Sequence, residues 1–134
     1  MANYKRNPDQ LKILPGLSAF VKPTEAEARD DYEFTESLIH PSVSREIRGT
    51  TLGSTNIIVG SPIQIVDHMQ DWFERGACDG FNIMPPYIPG SLKDFCELVI
   101  PELQKRGLFR TEYEGRTLRE NLGLRRPDSR HISM

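Results

Sequence analysis

The stretch Gly76 to Ser91, GACDGFNIMPPYIPGS, constrains the fold more than any other part of the chain. Five mostly apolar residues, Gly80 to Met84, follow the end of one helix pattern after a short turn and stop on Pro85-Pro86 before the next helix start. Proline has no N–H for a sheet ladder, so the strand must end there. Apolar residues on both alternating faces are the pattern of a parallel strand buried on both sides.

The elements around it repeat the theme. Gly60-Ser61-Pro62 opens the clearest helix, with Ser61 as N-cap, Pro62 at the first helical position and Gln64 completing a capping box. Ile65, Val66, Met69, Trp72 and Phe73 form one stripe of a 3.6-residue period, and Gly76 closes the helix. Upstream, Leu11 to Val21 is an apolar run broken at Pro15-Gly16, expected to end in or bend through a turn there. Thr24 with Glu27 starts an acidic helix reaching about Ile39, before Pro41. Ser42 to Ser54 reads as loop with a short helical turn at Val43 to Arg48, and Asn56 to Val59 as a short strand. Downstream, Ser91 is expected to cap a helix with Asp94 at N3, which Pro101 breaks or kinks and Gly107 ends. Thr117 and Glu120 start a last short turn through Leu122, ahead of a polar tail.

Strands and helices therefore alternate, which implies right-handed crossovers and a parallel sheet with helices on its outside. Ligands of such sheets bind outside the carboxyl ends of the strands. Met84-Pro85-Pro86-Tyr87 stands at that position, combining apolar surface, a phenol and a stiff backbone. A plain strand-to-helix loop packed on its own core is the alternative.

Composition narrows the chemistry. A net charge of -2, with 17 Lys and Arg against 19 Asp and Glu, argues against a nucleic-acid binder. The C-terminal arginines (Arg116, Arg119, Arg125, Arg126, Arg130) are interleaved with Glu112, Glu114, Glu120 and Asp128, as on a solvated face. His40, His68 and His131 show no metal spacing with one another or with Cys78 and Cys96. Whether the two cysteines pair is left open by sequence. The Gly60-Ser61-Pro62 helix start could hold an anion or be simply capped. MANYKRNPDQLK has no apolar leader and no run reaches transmembrane length, so the cytoplasm is the expected compartment and no membrane partner is expected.

A resemblance sharpens these expectations. The runs VGSPIQIVDHMQDWFERGACDGFNIMPPY, PELQKRGLFRTEYEG and TLRENLGL, with KRNPDQLKILPGL near the start, resemble the C-terminal portion of the luciferase-like FMN-dependent monooxygenases. They look like the branch of nitrilotriacetate monooxygenase component A and dibenzothiophene-sulfone monooxygenase. The resemblance implies a (β/α)8 barrel of parallel strands with outer helices, of which residues 1–124 form a late part and 125–134 a polar tail. Leu11 to Leu17 and Gly80 to Met84 would be late barrel strands, the second of them the last.

The resemblance also implies reduced FMN delivered by an NADH:flavin reductase, and oxygen-dependent attack on a small organic or xenobiotic substrate. Asn82, Met84, Pro85 and Tyr87 become candidate wall residues of the flavin or substrate pocket, with no catalytic residue and no metal ligand assigned. The segments that carry the family's main flavin contacts have no counterpart here, and a long insertion after the helix near Ile39 is missing. Three readings follow: a truncated form that is not catalytic alone, one half of a split enzyme completed by a partner chain or a second copy, or a non-catalytic binding or scaffold module.

Overall fold

A computed structural model describes residues 11–40, 56–121 and 123. The expected loop 42–54 with its helical turn at 43–48, Leu122 and the polar tail 125–134 lie outside the described residues. The described strands are β1 (Gly16–Val21), β2 (Asn56–Gly60) and β3 (Asn82–Ile83). The helices are α1 (Glu25–Ser37), α2 (Pro62–Glu74), α3 (Gly90–Asp94), α4 (Ile100–Lys105) and α5 (Leu118–Asn121), with a π-helical turn, Phe95–Val99, joining α3 to α4.

β1 is the centre of a three-stranded sheet of order β2-β1-β3, parallel throughout. Leu17 is opposite Asn56 on one side and Ile83 on the other. Every residue from Leu17 to Val21 is buried, as a strand covered on both faces requires. Strand alternation sends Leu17, Ala19 and Val21 to one face, where they meet Ile65, Val66 and Met69 of α2, Phe95 and Val99 of the π turn, and Leu103 of α4. Phe20 points to the other face, where its ring stands edge-on to Tyr32 of α1 at 5.1 Å. So α1 covers one face, and α2 with the α3–α4 run covers the other. In a barrel wound strictly in chain order β2 would lie between its chain neighbours. Here the connection from β2 to β3 passes over β1, so its helix falls on the face opposite α1, as right-handed crossovers require.

The helix signals are met where local chemistry suffices. Thr24 Oγ1 accepts from Glu27 N at 3.3 Å while Glu27 Oε2 accepts from Thr24 N, a complete capping box. Gln64 Oε1 accepts from Ser61 N at 2.8 Å at the start of α2. Gly76 and Gly107 take φ of 69° and 72° just past α2 and α4, and Ala77 N and Leu108 N reach back to Trp72 O and Leu103 O. Both are Schellman ends, for which glycine avoids the Cβ clash of left-handed backbone.

Four expectations need correction. Pro15-Gly16 precedes β1 and does not end it: Leu11, Ile13 and Leu14 are more than half exposed, and Pro15, without an N–H, contributes only its carbonyl, to Asn82 N. β3 is not buried on both faces. It pairs only with β1 among the described strands, Asn82 is exposed and Ile83 half-buried, because an edge strand lacks a second neighbour. Ser91 lies inside α3 and does not cap it; its Oγ binds the Tyr87 backbone, accepting from Tyr87 N at 3.1 Å and donating to Tyr87 O. Pro101 does not break the helix, because the π turn ahead of it relaxes the bond spacing that a missing N–H would otherwise interrupt.

Candidate functional site at the carboxyl ends of the central strands

The loops after β1 and β3 leave toward opposite faces of the sheet, and the crevice between them is the position at which doubly wound sheets bind ligands. Four side chains meet there. Lys22, the first residue after β1, donates through Nζ to Asp94 Oδ2 at 2.6 Å and to the Tyr87 hydroxyl at 3.4 Å, and stands 3.7 Å from Asp31 Oδ2. The Tyr87 hydroxyl donates in turn to Asp31 Oδ2 at 2.7 Å. One cation and one phenol thus tie together β1, α1, the loop after β3 and α3.

The electrostatics lock this arrangement. The hydrogen bond that Lys22 donates to Asp94 pushes its ammonium well above its ordinary range, against the opposing effect of burial. Burial first, and then the bond to Asp31, raises the Tyr87 phenol, while Lys22 pulls it back. At neutral pH Lys22 is a paired cation and Tyr87 a neutral donor, so neither is a free nucleophile or base.

The candidate wall residues divide in two. Tyr87 is in the network. The Leu17–Ile83 and Gly16–Asn82 register puts Ile83 on the helix-packed face with Leu17. Asn82 and Met84 alternate to the other face, and Met84, 38% exposed, extends the ladder by donating its N–H to Leu17 O at 2.8 Å. Pro85 follows at the strand end, half-buried. Lys22, Asp31 and Asp94 were not legible as site residues. Their only sequence signal is a lysine closing an apolar strand; pairing across 72 positions is set by the fold.

The start of α2 carries a side-chain cap. Its Ser61 N–H is taken by Gln64, and the Gln64 amide donates to Glu25 Oε2 at 2.8 Å, which ties the start of α2 to the first turn of α1. Cys78 is buried, Cys96 exposed, and both are free thiols. Among the described residues no group of histidines, cysteines and carboxylates could hold a metal, and no helix is long and apolar enough to cross a membrane.

His68 serves the frame. Its Nε2 lies 2.7 Å from Asn56 Nδ2, joining α2 to the start of β2, and its ring leans on Trp72. Burial lowers its pKa, with Asp71 opposing. A depressed imidazole contributes stability that is complete above the unfolded value near 6.5 and is lost as pH falls toward the folded value. The urea midpoint is therefore expected to drop between pH 7.5 and 5.5, and the His68→Gln variant to lose that pH step.

Comparison with known proteins now bears on these elements. No family model matches the chain. Nitrilotriacetate monooxygenase component A of Aminobacter aminovorans is 35% identical over 95% of the chain, which spans 40% of that protein. Their alignment runs over 179 residues although this chain has 134, so the relative carries extra residues inside the matched span. A solved long-chain alkane monooxygenase superposes with a TM-score of 0.73 at 32% identity, over 91% of this chain and 35% of the other. A riboflavin lyase solved with modified FMN and riboflavin superposes with a TM-score of 0.71 at 25% identity, over 90% of this chain and 37% of the other. The chain thus spans about two fifths of the length of the curated relatives it matches. By sequence and by fold, the chain belongs to the luciferase-like monooxygenases, in the branch of nitrilotriacetate monooxygenase component A, and forms part of their α/β barrel.

Proposed function

We propose that this chain supplies the C-terminal strands and helices of a flavin-dependent monooxygenase that uses reduced FMN and oxygen on a small organic or xenobiotic substrate, in the cytoplasm. The observation that carries this reading is similarity over nearly the whole chain to monooxygenases of which it spans only part. In that reading Asn82 and Met84, exposed at the carboxyl end of β3, belong to the wall of the flavin or substrate pocket. Pro85 and Tyr87 form its rim, with Tyr87 held by Asp31 and Lys22. An NADH:flavin reductase supplies the reduced flavin.

Among the described residues, neither the α2 start nor Lys22 offers a ready site for the flavin phosphate. The α2 amino end is filled by Gln64 beside Glu25, and the Lys22 charge is spent on Asp94 and Asp31. In this reading the chain by itself is not the catalyst. A second reading has a specific support: among the described strands β3 pairs on one side only, and Asn82 and Met84 are exposed, an edge that a strand from a partner chain would cover. In that form the enzyme is split, and a partner brings the early strands and the phosphate site.

Flavin titration tests both. The chain alone is expected to show no saturable binding of reduced FMN at micromolar concentration. Addition of a chain that carries the remaining barrel strands is expected to create a site, which Met84→Ala then weakens. Micromolar binding of reduced FMN by the 134-residue chain alone would overturn the claim of incompleteness.

A further inference from the structure

A cavity of about 240 Å³ lies between α2, the lead-in to β3 and the α3–α4 run. Its lining includes Phe73, Phe81, Phe95, Phe109, Ile83 and Leu103, and none of Lys22, Asp31, Asn82, Met84, Pro85 or Tyr87. It opens on the Ile83 face of the sheet, the face opposite Asn82 and Met84, so it is separate from the proposed flavin wall.

Its polar lining is already satisfied from outside. Asp79 accepts from Lys12 Nζ at 3.1 Å and from Ile13 N at 2.8 Å. Gln70 accepts from Arg106 Nη1 at 3.0 Å and donates to Glu74 Oε1 at 2.7 Å. A ligand entering the cavity thus meets mainly aromatic and aliphatic surface, the Asp79 and Gln70 side chains being engaged elsewhere, and a negative charge would face the Asp79 carboxylate. Two of the lining rings, Phe73 and Phe109, are 52% and 41% exposed, so the cavity is reached from solvent past apolar walls. Water gains little in such a space, since it needs two or more polar partners to be held. An engineered cavity of roughly 150 Å³ lined by aliphatic and aromatic groups binds benzene. The larger space here takes a molecule up to about two fused rings.

We propose that this cavity is a binding site for a small, neutral, apolar molecule of one or two aromatic rings. Affinity would come from apolar surface removed from water and from contact with the phenylalanine rings, and selectivity against anions from the Asp79 carboxylate.

The test uses the full chain with naphthalene as probe and 2-naphthoate as charged counterpart, followed by amide chemical shifts and melting temperature. Naphthalene is expected to bind saturably, to shift residues Phe81, Ile83 and Leu103, and to raise the melting temperature. 2-Naphthoate is expected to bind at least about tenfold more weakly. Leu108→Trp and Ile100→Phe, each placed to fill the cavity, are expected to weaken naphthalene by about tenfold or more while leaving the far-ultraviolet spectrum unchanged. Two variants are used so that one misfolded protein does not decide the matter. Absence of saturable naphthalene binding, shifts at the exposed Phe34 and Leu38 instead, naphthoate binding of equal strength, or undiminished binding by a folded filler variant would each overturn the proposal.

Discussion

Leu17→Ala is expected to remove about 3–4 kcal/mol of folding free energy, a large share of the roughly 5–15 kcal/mol that holds an ordinary domain folded. Leu17 has no exposed surface and occupies the middle strand, between Asn56 of β2 and Ile83 of β3. Its side chain belongs to the cluster where α2, the π turn and α4 converge. Alanine there loses the transfer free energy of the missing atoms and leaves a void that three packed elements cannot close together. The single tryptophan, Trp72, lies 6.4 Å from the Phe81 ring and reports the unfolding by fluorescence. Leu11→Ala is the reference: at 54% exposure it should move the urea midpoint by no more than about 0.5 kcal/mol equivalent. Equal effects of the two substitutions would mean that β1 is not the centre of the sheet.

Lys22→Ala is expected to cost about 2 kcal/mol, less than breaking a fully buried pair because Lys22, Asp31 and Asp94 keep 27%, 20% and 27% of their side-chain surface exposed. The loss comes mainly from two half-buried carboxylates left facing each other without their cation. The double variant Lys22→Met with Asp94→Leu removes the charge together with one of those carboxylates and should recover much of the deficit. Urea unfolding of Lys22→Met, Asp94→Leu and the double variant measures the coupling directly. If the double variant is as unstable as the sum of the singles, the ammonium is not what holds the loop after β3 to the end of β1. The network also sets an alkaline limit. A phenol raised in the folded state contributes stability that is complete below the unfolded value near 10 and is lost as pH climbs toward the folded one.

If Tyr87 is held this firmly, its part in the proposed enzyme is to fix the rim, while Met84 and Asn82 present the surface that a ligand meets. That division differs from the sequence expectation, which treated the four wall residues alike. The difference arises because Met84 still follows the strand pairing with Leu17, whereas Tyr87 lies beyond the prolines in a loop whose backbone is held by Ser91.

Caps and periodic stripes were legible in the sequence because each is decided within a few residues. Thr24 and Glu27, Ser61 and Gln64, Gly76 and Gly107 all do what their local chemistry dictates. The same holds for the parallel alternation of strands and helices, which follows from short apolar runs between capped helices. Strand order, the edge position of β3, the meeting of Lys22 with Asp94 and the aromatic cavity could not be read there. Each depends on which face of the sheet a crossover takes and on which strands find a second neighbour. Those choices are made by burial over the whole chain, where an apolar run such as Phe81 to Met84 fits a central strand and an edge strand equally well until its neighbours are placed.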